Sequence, residues 1–262
     1  MSATSDRAPG LGIIGWDVFE FIVNDLDRSR RFYTEMMDVP EVARLEERVA
    51  AERGETAGLF RAGKAAVACI TPTDPDSRAG RWLERHPDGV AVMAVRVKDL
   101  EHARRVLEER GATFCSGVVR QTAHDGTPSR HFDIATPMGD VRMRFVERPR
   151  EALPPGFVPG DNGNSEARNR YAFQVVDHVT SNFLTIEPFI SWLRDVLGFE
   201  VKENLEIMGR RFVFVGNENA SIEIEQSNPG DTQIDPRFQT GQNHLAFLVD
   251  DARRPGRDFE QV

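Results

Sequence analysis

The later part of this chain repeats the earlier part, and no other feature restricts the possible folds as much. The stretch FEFIVNDLDRSRRFYTEMMDVPEV from Phe19 lies over DHVTSNFLTIEPFISWLRDVLGFEV from Asp177. Asn24 meets Asn182 at a separation of 158, whereas Tyr33 meets Trp192 and Glu41-Val42 meets Glu200-Val201 at 159, so one inserted residue reconciles the copies. A second pair, GVAVMAVRVKDLEHARR from Gly89 and GQNHLAFLVDDARRPGR from Gly241, matches at 152; Ala94, Val97 and Asp99 recur as Ala246, Val249 and Asp251. A repeated unit that cannot bury its apolar face alone must pack on a neighbour, so the chain reads as units assembled side by side.

Each unit opens on a strand and continues into a helix. Ile13 to Val23 is an apolar, β-prone run. Asp25 is placed to cap a helix over Leu26 to Met37, with Phe32, Met36 and Met37 at helical spacing and Pro40 beyond its end. Leu59-Phe60 and Ala65 to Ile70 read as strands about a turn at Ala62-Gly63, followed by a breaker-rich loop from Thr71 to Ser77. In the next unit Val90 to Val97 is a strand. Asp99 caps a helix with Leu100, Ala103, Val106 and Leu107 on one face, and Gly111 ends it. Strands Arg130 to Thr136 and Val141 to Glu147 follow, about a turn at Pro137 to Asp140. The pattern predicts an α+β chain of tandem βαβββ modules in two halves. An aperiodic stretch rich in Pro, Gly and Asn separates them, giving an N-terminal two-module domain over 12–148, a linker over 149–170 and a C-terminal domain over 171–262. The fourth module is incomplete, because Val262 falls inside the helix that matches the one from Asp99. The repeat therefore predicts closing strands within about 100 further residues.

Composition narrows the class. A chain of 262 residues accommodates about two domains and a sizeable core. An apolar share of 40% argues against wholesale disorder, and a net charge of −9 argues against a general nucleic-acid binder, which needs a basic surface. No apolar run approaches the ~18–20 residues of a membrane span. Met1 to Gly10 lacks the apolar stretch of a secretory signal, and two cysteines, Cys69 and Cys115, are too few for a disulfide framework. A soluble, cytoplasmic protein is expected. No P-loop or nucleophile elbow occurs.

The repeat also marks where chemistry was added. At the offset of 158 His178 replaces Glu20, and at 152 His244 replaces Val92. Both positions lie in the first strand of a module. Two neutral imidazoles converging there would make a pair of ligands for a divalent transition metal, and a carboxylate would complete a facial triad with open positions for substrate and O₂. Taken singly, each histidine is more simply a buried, hydrogen-bonded side chain; their matched positions across the repeat favour the metal reading. His86, His102, His124 and His131 carry no such match and read as surface or satisfied histidines. In the alternating strand SIEIEQ, Ile222 and Ile224 share one face and Glu223 and Glu225 the other. A solvated strand face is the simple reading of that pair. The sharper one makes Glu225 a ligand.

Four stretches then carry a family resemblance: VDHVTSN at Val176 to Asn182 with Glu187-Pro188 and Gly198-Phe199, GQNHLAF at Gly241 to Phe247, WLERHPDGVAVMAVRVKD at Trp82 to Asp99, and PPGFVPG at Pro154 to Gly160. Together they span nearly the whole chain, which resembles the 4-hydroxyphenylpyruvate dioxygenase family of the vicinal oxygen chelate superfamily. The resemblance implies the vicinal oxygen chelate fold, a metal-free N-terminal half and an Fe(II)-binding C-terminal half with His178 and His244 as ligands. It places the third ligand, a Glu, on a strand beyond Val262. It puts Gln226 or Asn228 nearest the family's substrate-binding Asn, although IEIEQSNP departs from the family's pattern there. The implied reaction is oxidative decarboxylation and ring hydroxylation of an aromatic 2-oxo acid with O₂, as in tyrosine catabolism; homo-oligomers are compatible with it. An extradiol ring-cleaving dioxygenase and a non-catalytic small-molecule-binding protein of the same superfamily are the alternatives.

Overall fold

A computed structural model describes residues 10–160, 169–228 and 240–249; at 240–244 the backbone alone is described. The first half contains two modules of the expected order. Module one runs β1 (Ile13–Ile22), α1 (Leu26–Arg31), β2 (Glu41–Leu45), α2 (Glu47–Arg53), β3 (Glu55–Ala62) and β4 (Ala65–Pro72). After α3 (Arg78–Leu83), module two runs β5 (Gly89–Val97), α4 (Leu100–Glu109), β6 (Val119–Thr122), β7 (Pro128–Ala135) and β8 (Arg142–Glu147). They share one nine-stranded sheet ordered β6-β7-β8-β5-β1-β4-β3-β2-β9. Within each module the first strand runs parallel to the last, β1 with β4 and β5 with β8, and the modules join through the antiparallel pair β1–β5. The ninth strand is β9 (Phe157–Pro159), which pairs with β2 from within the stretch whose composition reads as linker.

The second half repeats this plan. Strand β10 (Phe173–Phe183) leads into α5 (Glu187–Trp192), then β11 (Glu200–Ile207), β12 (Arg210–Gly216), β13 (Ser221–Gln226) and β14 (Thr240–Val249). Its sheet is ordered β11-β12-β13-β10-β14, with β10 parallel to β13 and antiparallel to β14, as β1 is to β4 and β5. The module that begins at β14 continues into residues outside the described set, so its expected helix and closing strands are not described.

Local sequence explains the elements. The Asp25 carboxylate accepts from the Arg28 amide at 2.8 Å, and that of Asp99 from His102 at 2.9 Å, satisfying helix-end donors that would otherwise lack partners. Helix α4 buries the predicted stripe, Leu100, Ala103, Val106 and Leu107, under the first sheet. Helix α1 departs from expectation. It continues as a π-turn over Phe32–Met36, whose extra residue shifts the phase of the face, so that Phe32 and Met36 stay exposed and Tyr33 instead stacks on Phe60 at 4.8 Å. The repeat preserves this detail: α5 continues as a π-turn over Leu193–Leu197, burying Leu193, Val196 and Leu197. Phe183 and Phe189 add an aromatic pair at 4.5 Å, each such buried side chain contributing about 1.5–3 kcal/mol.

The halves pack on each other. Ser181 Oγ donates to Met138 Sδ, Arg110 Nη1 to the Val196 carbonyl and Asn219 Nδ2 to the Ile13 carbonyl. One apolar core runs from the first half through Val179, Ile222 and Ile224 of the second. Gly63, at φ +57°, turns β3 into β4 directly against β10. A Cβ there would lie 2.6 Å from the Phe173 carbonyl oxygen, so only glycine permits the approach. Among the described residues no helix is long and apolar enough to cross a membrane.

Candidate functional site

The parallel register of β10 and β13 decides which side chains meet. His178 pairs with Ser221, Thr180 with Glu223 and Asn182 with Glu225, so these six share one sheet face, with Phe212 and Phe214 of β12 beside them. The opposite face carries the alternating Val179, Ser181, Ile222, Ile224, Val213 and Val215, all buried in the core. This alternation holds the imidazole on the side away from the core, where it is only partly covered.

His178 is tightly positioned. Its Nδ1 lies 2.8 Å from an Asp177 carboxylate oxygen, which can only accept, so Nδ1 donates in that contact. Nε2 is 3.4 Å from Glu223 Oε2, and that oxygen also accepts from Thr180 Oγ1. The ring meets Phe214 edge-on at 5.2 Å. Strand β10 carries one extra residue against β14 between Val176 and His178, a bulge centred on Asp177, which lets neighbouring side chains reach each other as flat pleating would not.

The other expected ligand, His244, lies in β14, and its side chain is outside the described set. The backbone bears on it nonetheless. Ala246 pairs with His178, Leu245 with Val179 and Gln242 with Ser181, so a second bulge falls at Asn243-His244, opposite Thr180. Position 244 is therefore on the strand next to His178, within two residues of its partner. Among the described residues no three His, Cys, Asp or Glu side chains are grouped to hold a metal ion.

Glu225 shares the face but lies four residues along β13 from the partner of His178; it is buried and paired with Arg210. The carboxylate beside the imidazole is Glu223. Sequence alternation puts both glutamates on that face, but only the parallel register distinguishes them. Gln226 ends β13 with the parity of Ile222 and Ile224, so alternation does not set it with His178, and Asn228 is exposed beyond the strand.

The equivalent face of the first half is filled differently, and the pairings correct the match read from the sequence. Glu20, paired with Ala68 and Val92, corresponds to Thr180, and His178 falls at the place of Val18, two residues along the same face. Glu20 bonds to Arg144 and, at 3.3 Å, to Arg78. Burial opposes its ionisation, but the charges of Arg144 and Arg78 outweigh it and hold the carboxyl below its ordinary value. Val92, at the position matching His244, is a buried core residue paired with Glu20.

Comparison with known proteins shows what the chain is similar to. Residues 15–137 match the family model described as the Glyoxalase/Bleomycin resistance protein/Dioxygenase superfamily. A 4-hydroxyphenylpyruvate dioxygenase from Dictyostelium discoideum is 24% identical over 189 residues, 64% of this chain and 51% of that protein. The chain thus spans about half the length of the curated relative it matches. A mutant of 4-hydroxymandelate synthase from Streptomyces coelicolor superposes with a TM-score of 0.72 at 19% identity, covering 92% of this chain and 72% of that one. A fusion of a xylose isomerase-like TIM barrel with 4-hydroxyphenylpyruvate dioxygenase gives 0.70 at 16%, covering 97% and 40%. The resemblance read from the sequence holds at the level of the superfamily, and the fold is α+β of the vicinal oxygen chelate type.

Proposed function

We propose that this chain belongs to an Fe(II)-dependent dioxygenase that acts on an aromatic 2-oxo acid such as 4-hydroxyphenylpyruvate. The observation that carries the reading is His178: an imidazole whose Nδ1 is fixed by Asp177, leaving Nε2 directed to a face that also holds Glu223. A carboxylate behind a ligating histidine fixes the ring and raises its basicity, which is how metal-binding imidazoles are commonly supported. The donor set fits a divalent cation in part. His178 would be one ligand, and His244, on the adjacent strand, the other. When bound, the iron would supply the O₂ chemistry and a Lewis-acidic anchor for the 2-oxo acid.

The chain's own residues do the rest. Glu223 places a negative charge 3.4 Å from Nε2, which offsets the charge of a cation there. Thr180 donates to Glu223 and fixes its rotamer. Half-buried Phe212 and Phe214 line the same face and offer an aromatic ring an apolar surface. The resemblance assigns Gln226 and Asn228 to the substrate, but alternation sets Gln226, the last residue of β13, off the face of His178, and Asn228 lies two residues beyond the strand.

The test is oxygen uptake with Fe(II) and 4-hydroxyphenylpyruvate, with wild type, His178→Ala and His244→Ala compared side by side. Uptake that disappears in both variants is expected. Uptake retained in either rejects the ligand assignment, and uptake with a catechol but not the oxo acid favours the ring-cleaving alternative.

A further inference from the structure

The first half encloses a cavity of about 390 Å³ on the inner face of its sheet, within the range of about 300–1,000 Å³ typical of small-molecule sites. Part of its wall is apolar, including Leu45, Ile70, Val146 and Phe157. Its charged groups form two sets. In the first, Arg144 and Arg78 are bonded to Glu20, Asp133 and Glu55, so the guanidiniums are matched.

The second set is not matched. Arg148 grips both carboxylate oxygens of Asp17 at 3.0 Å, and both residues line the cavity. Strand alternation brings two more arginines to this inner face: Arg96, two residues beyond the cavity-lining Ala94, and Arg61, in step with the cavity-lining Glu55 and Ala57. Arg96 pairs with Gly15 across β1 and β5, and Arg150 Nη2 lies 3.6 Å from the place a Cβ would take on that glycine. Arg148, Arg96, Arg61 and Arg144 all act on the one buried carboxylate of Asp17, Arg150 adds a fifth guanidinium, and Glu151 is the other acid acting on Arg61 and Arg150. This excess of positive charge sits in a chain whose net charge is −9.

Arg96 is the sharpest member. It is 6% exposed, its Nε has no hydrogen-bond partner, and among the described residues no carboxylate is within ion-pair range of it. A buried guanidinium nitrogen left unsatisfied is costly, and here the one nearby charge, Asp17, is already shared with Arg148. Burial first, and then neighbouring guanidiniums, also hold Arg61 and Arg150 below the ordinary arginine range.

We propose that this first-half cavity binds a small organic carboxylate, its anionic group seated among Arg61, Arg96 and Arg148 and its apolar body along Leu45, Val146 and Phe157. The planar guanidinium fork matches a carboxylate, and the apolar wall gives an organic body a surface that a bare inorganic anion would not use. The proposal is independent of any metal in the second half.

Calorimetric titration of the full chain at low salt tests it, with phenylacetate as the probe and phenylacetamide and inorganic phosphate as the comparison arms. Phenylacetate should saturate one site, phenylacetamide should not bind, and phosphate should bind more weakly. Arg96→Met and Arg61→Gln should each weaken phenylacetate about tenfold or more, the loss expected for a charge-assisted hydrogen bond. Without ligand, Arg96→Met should melt at or above the wild-type temperature, because it removes a buried charge with an unsatisfied nitrogen from a cluster that is in excess over Asp17; this separates lost binding from lost folding. His178→Ala should bind phenylacetate unchanged. Absence of saturation, equal binding of the amide, tighter binding of phosphate, or unaltered affinity in both arginine variants would each overturn the proposal.

Discussion

Positions 20 and 178 lie on the same face of the first strand in two copies of one module, two residues apart in register, and the charges around them differ in sign. Glu20 is enclosed by Arg144 and Arg78, each guanidinium reaching a further acid, Asp133 or Glu55. His178 faces Asp177 and Glu223, a surrounding of carboxylates. A carboxylate amid guanidiniums is an ion-pair network that neutralises itself. An imidazole amid carboxylates is a face of net negative charge, which favours a cation. The fold is common to both halves; the charge on one face of the first strand separates a self-neutralised face from a candidate metal centre.

This contrast predicts unequal responses to mutation. The largest stability effect belongs to the first half. Glu20→Ala leaves Arg144 and Arg78 with one fewer partner in a buried setting and should cost about 3 kcal/mol in urea unfolding. Its pH dependence follows from the depressed folded-state pKa of Glu20. The stabilisation is present above the unfolded carboxyl pKa of about 4.3 and is lost as pH falls through the folded value. The gap between wild type and variant should thus be constant near neutrality and close in acid; a gap that grows on acidification would contradict the network. In the second half, Asp177→Asn should leave unfolding nearly unchanged, since Asp177 is exposed, but weaken divalent-metal affinity about tenfold by freeing the His178 ring. Equal metal affinity in that variant would remove Asp177 from the account. The smallest effect is local to the start of α1, whose counterpart α5 has no side-chain cap: Asp25→Ala should cost about 1 kcal/mol in thermal unfolding, through the lost cap on Arg28.

Much of this architecture is legible in the sequence, for identifiable reasons. Duplication exposes the modules, and the caps Asp25 and Asp99 mark helix starts because a carboxylate before a periodic run has a local partner to satisfy. Short or polar strands are not legible: β6, with Val119 its only apolar residue, and β9, three residues inside a proline-rich stretch, exist because neighbouring strands offer pairing. His178 stands out because it breaks the repeat. Glu223 does not, since choosing it over Glu225 requires the parallel register of β10 and β13, a long-range property that alternation within one strand leaves open. The arginine cluster about Asp17 is scattered over β3, β5 and the end of β8, so nothing local announces it.

The central claim is that the two halves differ on this one sheet face in their capacity to hold a metal. Anaerobic Fe(II) titration of wild type, His178→Ala and Glu20→Gln measures it directly. Wild type and Glu20→Gln should bind one equivalent with the same affinity, while His178→Ala should lose about a hundredfold or more, as expected when a ligand rather than its supporting group is removed. Binding by His178→Ala equal to wild type, or loss of binding in Glu20→Gln, would contradict the account.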